Sequence, residues 1–190
     1  SLQSFAALRG AGSPPAARQS KLVMGPWSHV NYSNAVGDLD FGFRAQMALM
    51  NLQSDLTGLT LRWFDHWLKG VENGIAAEPP LRLFVMGANS WRDEAEWPLA
   101  RAVNTPFYLR AGGALSAEPP AAEPPDGFVY DPADPTPTLG GNLLMHTLYN
   151  PGPRDQRPVE ARADVLSYTT PPLERDTEVT GPLLVKLWAT

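Results

Sequence analysis

Leu22-Val23-Met24-Gly25-Pro26-Trp27-Ser28-His29 is an apolar run cut off by glycine and proline, with a histidine just beyond the break. Lys21 to Met24 reads as a buried strand that Gly25-Pro26 terminates. Downstream, Leu56, Leu59, Trp63, Phe64, Trp67 and Leu68 recur at intervals of three and four, and Gly70 stands where a C′ residue belongs, so the spacing predicts an amphipathic helix over Leu56 to Lys69. Pro79-Pro80 then opens a second apolar run, Leu81 to Met86, bounded by Gly87. The order strand, helix, strand predicts a βαβ unit with parallel strands. In open α/β sheets chemistry sits beyond the carboxyl ends of the strands. His29 occupies that place, and a histidine is suited to moving protons near neutral pH.

The rest of the chain frames this unit. Leu2, Phe5, Ala6 and Leu8 at near-helical spacing predict a short helix, ended by the glycines and prolines from Gly10 to Pro15. Between His29 and Ser54 there is little periodicity, which predicts a long functional loop. After about Leu99 helical spacing disappears and proline becomes dense, as in Glu118-Pro119-Pro120 and Glu123-Pro124-Pro125. A domain boundary near residue 100 is expected, dividing the chain into 1–100 and 101–190. Short β-type runs follow at Phe107 to Leu109, Phe128 to Tyr130, Leu143 to Tyr149, Val165 to Thr169 and Leu183 to Trp188, a spacing that suits an antiparallel sandwich. The expected class is thus α/β plus β.

Composition narrows the function. With 43% hydrophobic and 18% charged residues among 190, the chain can bury a core. A net charge of −5 without a basic patch argues against nucleic acid. No apolar stretch is long enough to span a bilayer, and the N-terminus lacks a signal-peptide layout, so no membrane partner and a cytoplasmic location are expected. Zero cysteines exclude disulfides and thiolate metal sites. The absence of an initiator Met and the apolar C-terminal end suggest a piece cut at both ends. No Gly-x-Ser-x-Gly elbow or other nucleophile is evident, which implies that the partner of His29 lies upstream.

Beyond these elements, the chain resembles the cocaine-esterase-like branch of the X-Pro dipeptidyl-peptidase and α-amino acid ester hydrolase family. The resemblance rests on Gly25-Pro26-Trp27-Ser28-His29, on Trp63-Phe64-Asp65 with Leu68-Lys69-Gly70, and on Leu81 to Gly87 with Trp91-Arg92 and Trp97-Pro98-Leu99. It continues through Tyr130-Asp131-Pro132-Ala133-Asp134-Pro135, Gly140-Gly141, Asp155-Gln156-Arg157 and Asp164-Val165-Leu166. It implies the C-terminal part of an α/β-hydrolase domain followed by the start of a jelly-roll β-sandwich, in a serine hydrolase with a Ser-His-Asp triad. Triad order in this fold is Ser, Asp, His, and Ser1 falls just after the family's acidic member, so His29 is the triad residue that carries over. Its implied role is to take the serine proton during attack on an ester or amide carbonyl and to return it to the leaving group. Leu144 and Met145 match residues that wall the family's acyl pocket. The implied partners are small esters, amides or X-Pro peptides, with no cofactor and with a homo-oligomer allowed; the fragment alone is expected to be inactive. Trp67 stands where the family's helix motif has a histidine, and the loop Ala11 to Ala17 is longer than the family's. A non-catalytic β-sandwich binding carbohydrate or protein is the alternative.

Other polar residues have structural readings. His66 shares a helix face with Arg62 and Lys69 and reads as solvated, while His146 has no second ligand near it in sequence to support zinc. Asp38-x-Asp40 lacks the pattern of a calcium loop. Asp93, Glu94 and Glu96 read as an exposed turn between Trp91 and Trp97, and Asp155 with Arg157 as an ion pair ordering its loop.

Overall fold

A computed structural model describes residues 2–10, 12–29, 31–49, 55–144 and 150–189. The expected βαβ unit is present. Strand β1 (Leu22–Met24) runs parallel to β4 (Leu81–Val85), with Leu22 opposite Leu81 and Met24 opposite Leu83. Helix α2 (Leu56–Lys69) lies between them in sequence, and β5 (Ser90–Glu94) returns antiparallel to β4. The sheet order is β1-β4-β5.

Alternation along β4 gives the sheet two apolar faces. Leu81 and Leu83 point to one side and pack with Phe5 of α1 (Leu2–Arg9), joined by Leu2, Leu22, Met24 and Trp97. Phe84 points to the other and packs with Val36, Phe41 and Ala45, with Trp91 at the margin. Those three residues come from the expected long loop, which carries the hairpin β2 (Ala35–Val36) and β3 (Leu39–Asp40) and 3-10 turns at Phe43–Ala45 and Met47–Leu49. The core is therefore helix, sheet and hairpin in three thin layers.

Helix α2 begins and ends as its sequence directs. Asp55 caps it by accepting the Gly58 N–H at 2.5 Å, and Gly70 closes it at φ 69, where the left-handed backbone favours glycine. None of its residues is buried, however. Leu61, Phe64 and Leu68 are exposed by 60%, 50% and 76%, while Leu56, Leu59 and Trp63 of its apolar stripe are half-buried.

The region after residue 100 builds less sheet than the sequence suggests. β6 (Tyr108–Arg110) and β7 (Ala114–Ser116) form a hairpin, and Thr169 bridges in parallel to Ala114. A short helix, α3 (Arg157–Glu160), follows the loop at 150–156. The runs at 128–130 and 183–188 join no ladder. A strand needs a hydrogen-bonding neighbour and a covered face, and Val129 and Trp188, at 85% and 93% exposure, have neither. Most of the run Leu143 to Tyr149 lies outside the described residues.

The charged turn expected at 93–96 is instead partly β5. Because side chains alternate along a strand, Asp93 reaches Arg82 across the ladder at 2.6 Å while Glu94 is buried against Arg92 and Arg101. His66 is half-buried rather than solvated. Its Nδ1 lies 3.1 Å from the Val71 carbonyl and its ring meets Trp67 edge to face at 4.9 Å.

Candidate functional site

His29 ends a turn that begins where β1 ends, and the turn is held by its tryptophan. A side chain at Gly25 would meet the Trp27 ring at 2.5 Å, so glycine is required for the indole to fold back over the strand end. Trp27 Nε1 donates to the Ala45 carbonyl at 2.6 Å, and its ring contacts Tyr32 and Trp91 with centroids 5.6 Å away in both cases. Trp91 in turn meets Phe84 edge to face at 5.3 Å. The apolar layer beneath β4 thus anchors the turn through aromatic contacts. The Ser28 N–H donates to the Asn31 carbonyl at 3.2 Å, while the Ser28 hydroxyl is buried with no partner among the described residues. His29 itself is exposed, its imidazole presented at the carboxyl end of a parallel strand.

Leu144 is 61% exposed and follows the glycine pair Gly140-Gly141. Gly141 forms an antiparallel bridge with Gly152, each N–H donating to the other's carbonyl, at 2.8 and 3.0 Å. Met145 and His146 lie outside the described residues. What joins the histidine loop to this segment is the β2–β3 hairpin. The Asp38 N–H donates to the Pro153 carbonyl at 2.8 Å, and the Asp38 carboxylate takes Arg154 Nη1 and the Asp155 N–H, both at 2.9 Å. The Asp38-x-Asp40 pattern excludes a calcium loop and does not announce this joint. The available signal was Gly37 facing Gly152-Pro153, a spacing that carries no periodicity.

Three His, Asp or Glu side chains able to share a metal ion do not gather anywhere among the described residues. Asp155 pairs with Arg157 at 2.5 Å, as expected, and that guanidinium holds its carboxyl down at about 2. No helix among the described residues is long and apolar enough to cross a membrane.

A family model of the X-Pro dipeptidyl-peptidase C-terminal non-catalytic domain matches residues 73–190. The chain belongs to that family. Within it, 178 residues are 42% identical to the cocaine esterase of a Rhodococcus species, covering 89% of this chain and 30% of that enzyme. An α-amino acid ester hydrolase structure aligns over 95% of this chain and 30% of its own, with TM-score 0.66 and 31% identity. An aminopeptidase from a marine sediment Thaumarchaeota archaeon aligns over 81% of this chain and 25% of its own, with TM-score 0.59 and 27% identity. These relatives of the X-Pro dipeptidyl-peptidase family are named as hydrolases, and the chain spans less than a third of their length.

Proposed function

We propose that this chain is the histidine-bearing part of a serine hydrolase together with the opening of its C-terminal non-catalytic domain, the division falling near residue 100. The observation that carries the reading is the exposed His29 on a turn braced by Trp27 at the carboxyl end of parallel β1. In the proposed mechanism His29 removes the proton of a serine hydroxyl as it attacks an ester or amide carbonyl, then protonates the leaving group. The serine, the carboxylate orienting the imidazole and the oxyanion donors would belong to the part of the relatives' length that this chain does not span. Leu144 and Met145 would wall the acyl side of the pocket, and 101–190 would contribute strands to a jelly roll. The substrate class is a small ester, an α-amino acid ester or amide, or an X-Pro peptide.

A second reading, a binding module without catalysis, has its own support in the non-catalytic character of the matched domain and in an open groove of about 610 Å³ lined by Phe107, Leu115, Pro171 and Leu173. A fluorophosphonate serine probe separates the two. Labelling of the full-length protein that disappears in His29→Ala supports the hydrolase, with turnover lowered by several orders of magnitude. Absence of labelling in the unaltered protein overturns it.

A further inference from the structure

The hairpin that follows His29 and the loop that follows the Leu144 segment meet closely enough to exclude side chains on both sides. Gly37 has φ +63, and a Cβ there would lie 2.0 Å from the Pro153 carbonyl oxygen. Gly152 has φ +101, and a Cβ there would meet Val36 Cγ1 at 2.6 Å. Arg154 extends the contact to the third strip of backbone. Its guanidinium holds Asp38, while its stem lies over Gly140, whose added Cβ would meet Arg154 Cγ at 2.4 Å. Asp38, Arg154 and Gly140 therefore form one continuous stack from the histidine loop to the segment carrying Leu144. Beneath the stack, Val36 is buried with Phe41, Ala45 and Phe84, and the Ala45 carbonyl is the acceptor that holds Trp27.

We propose that Asp38 and Arg154 are positioning residues that hold the His29 turn in register with the acyl-pocket segment 140–144. The proposal rests on the hydrolase reading above. A partly exposed ion pair contributes little stability by itself. Here the carboxylate also takes the Asp155 N–H, and the arginine stem covers glycine backbone, so the pair sets the relative placement of two loops. Catalysis by a displaced proton-transfer group falls steeply with misplacement, on the order of a hundredfold per ångström. A displaced pocket wall acts chiefly on substrates that reach it.

The test uses the full-length protein with Asp38→Ala, Arg154→Met, which keeps the stem over Gly140, and the conservative Arg154→Lys, which keeps both stem and charge. Hydrogen exchange is followed at the amides of 27–29 and 141–144, alongside kcat/KM for 4-nitrophenyl acetate and 4-nitrophenyl benzoate. The expected result is exchange faster by about tenfold at both segments in Asp38→Ala and Arg154→Met, acetate kcat/KM down about tenfold from the His29 displacement, benzoate kcat/KM down further because it also meets the displaced wall, and both readouts within about twofold of the unaltered protein in Arg154→Lys. Faster exchange confined to 150–155, or an equal loss on both esters, would overturn the proposal. Should the unaltered protein cleave neither ester, the hydrolase reading fails, and the exchange data alone still decide whether the two segments are coupled.

Discussion

Arg92 and Glu178 face each other as a two-pronged ion pair, Nη1 donating to Oε2 at 2.8 Å and Nη2 to Oε1 at 2.6 Å. Behind them Glu94, only 6% exposed, accepts Arg92 Nε at 2.5 Å and Arg101 Nη1 at 2.8 Å. Two arginines and two glutamates thus clip the outer edge of the sheet to a residue far along the chain. Glu94→Gln keeps the shape but leaves a neutral amide between two guanidinium groups in a buried place. We expect a loss of about 2 kcal/mol, read from urea unfolding midpoints.

The same cluster sets an acid limit. Arg92, reinforced by Thr180, holds the Glu178 carboxyl down at about 2, and Arg101 followed by Arg92 pushes Glu94 below its ordinary value. A carboxylate whose pKa is depressed by folding contributes stability above its unfolded pKa and loses it as pH falls through the folded one. Thermal midpoints should therefore hold from pH 7 to about 5, then decline between about 4.5 and about 2. Glu178→Gln should decline less over that window than the unaltered chain, and parallel profiles would remove Glu178 from the account.

Trp27→Phe preserves an aromatic ring against Trp91 but removes the Nε1 donor and strands the Ala45 carbonyl. A stability loss of about 1–2 kcal/mol is expected. On the proposed hydrolase reading, kcat of the full-length protein should fall with KM nearly unchanged, because Trp27 would brace the turn of the proposed proton-transfer residue His29 rather than bind substrate. Steady-state kinetics on one ester distinguish this from a change in binding.

Leu183, Leu184, Val185 and Trp188 are between 74% and 93% exposed, in an apolar stretch interrupted only by Lys186 and with backbone groups outside any ladder. Such an edge invites strand-to-strand association. The 190-residue chain on its own should self-associate and bind 8-anilinonaphthalene-1-sulfonate. Leu184→Lys with Trp188→Lys should lower light scattering while leaving the thermal midpoint within about a degree, since these side chains cover no core.

What the sequence made legible was what local physics dictates. Leu56 to Lys69 was readable to the residue because a helical apolar period and a C′ glycine agree, and the structure adds the Asp55 cap. β1 and β4 were readable as continuous apolar runs, and His29 as the residue beyond a strand end. The buried Glu94 was not, because its burial depends on Arg101 and Arg92 arriving from both sides. The joint between Asp38 and Arg154 was hidden for a similar reason, as two loops widely separated in sequence define it. The sandwich runs after residue 100 were visible as composition, yet pairing depends on neighbours that a β-type run does not specify.

The parallel pairing of Leu22 with Leu81 also dictates an order of assembly. β4 and β5 are joined by a four-residue reversal containing Gly87 and Asn89, both at positive φ, so their contact requires almost no loop closure. β1 can dock on β4 only after the whole crossover containing the hairpin and α2 has been gathered, an entropic cost that delays non-local parallel contacts. Folding should therefore proceed from the β4–β5 hairpin inward, and the turn bearing His29 is organised last. A chain emerging from synthesis holds His29 long before it holds the turn that presents it at the strand end.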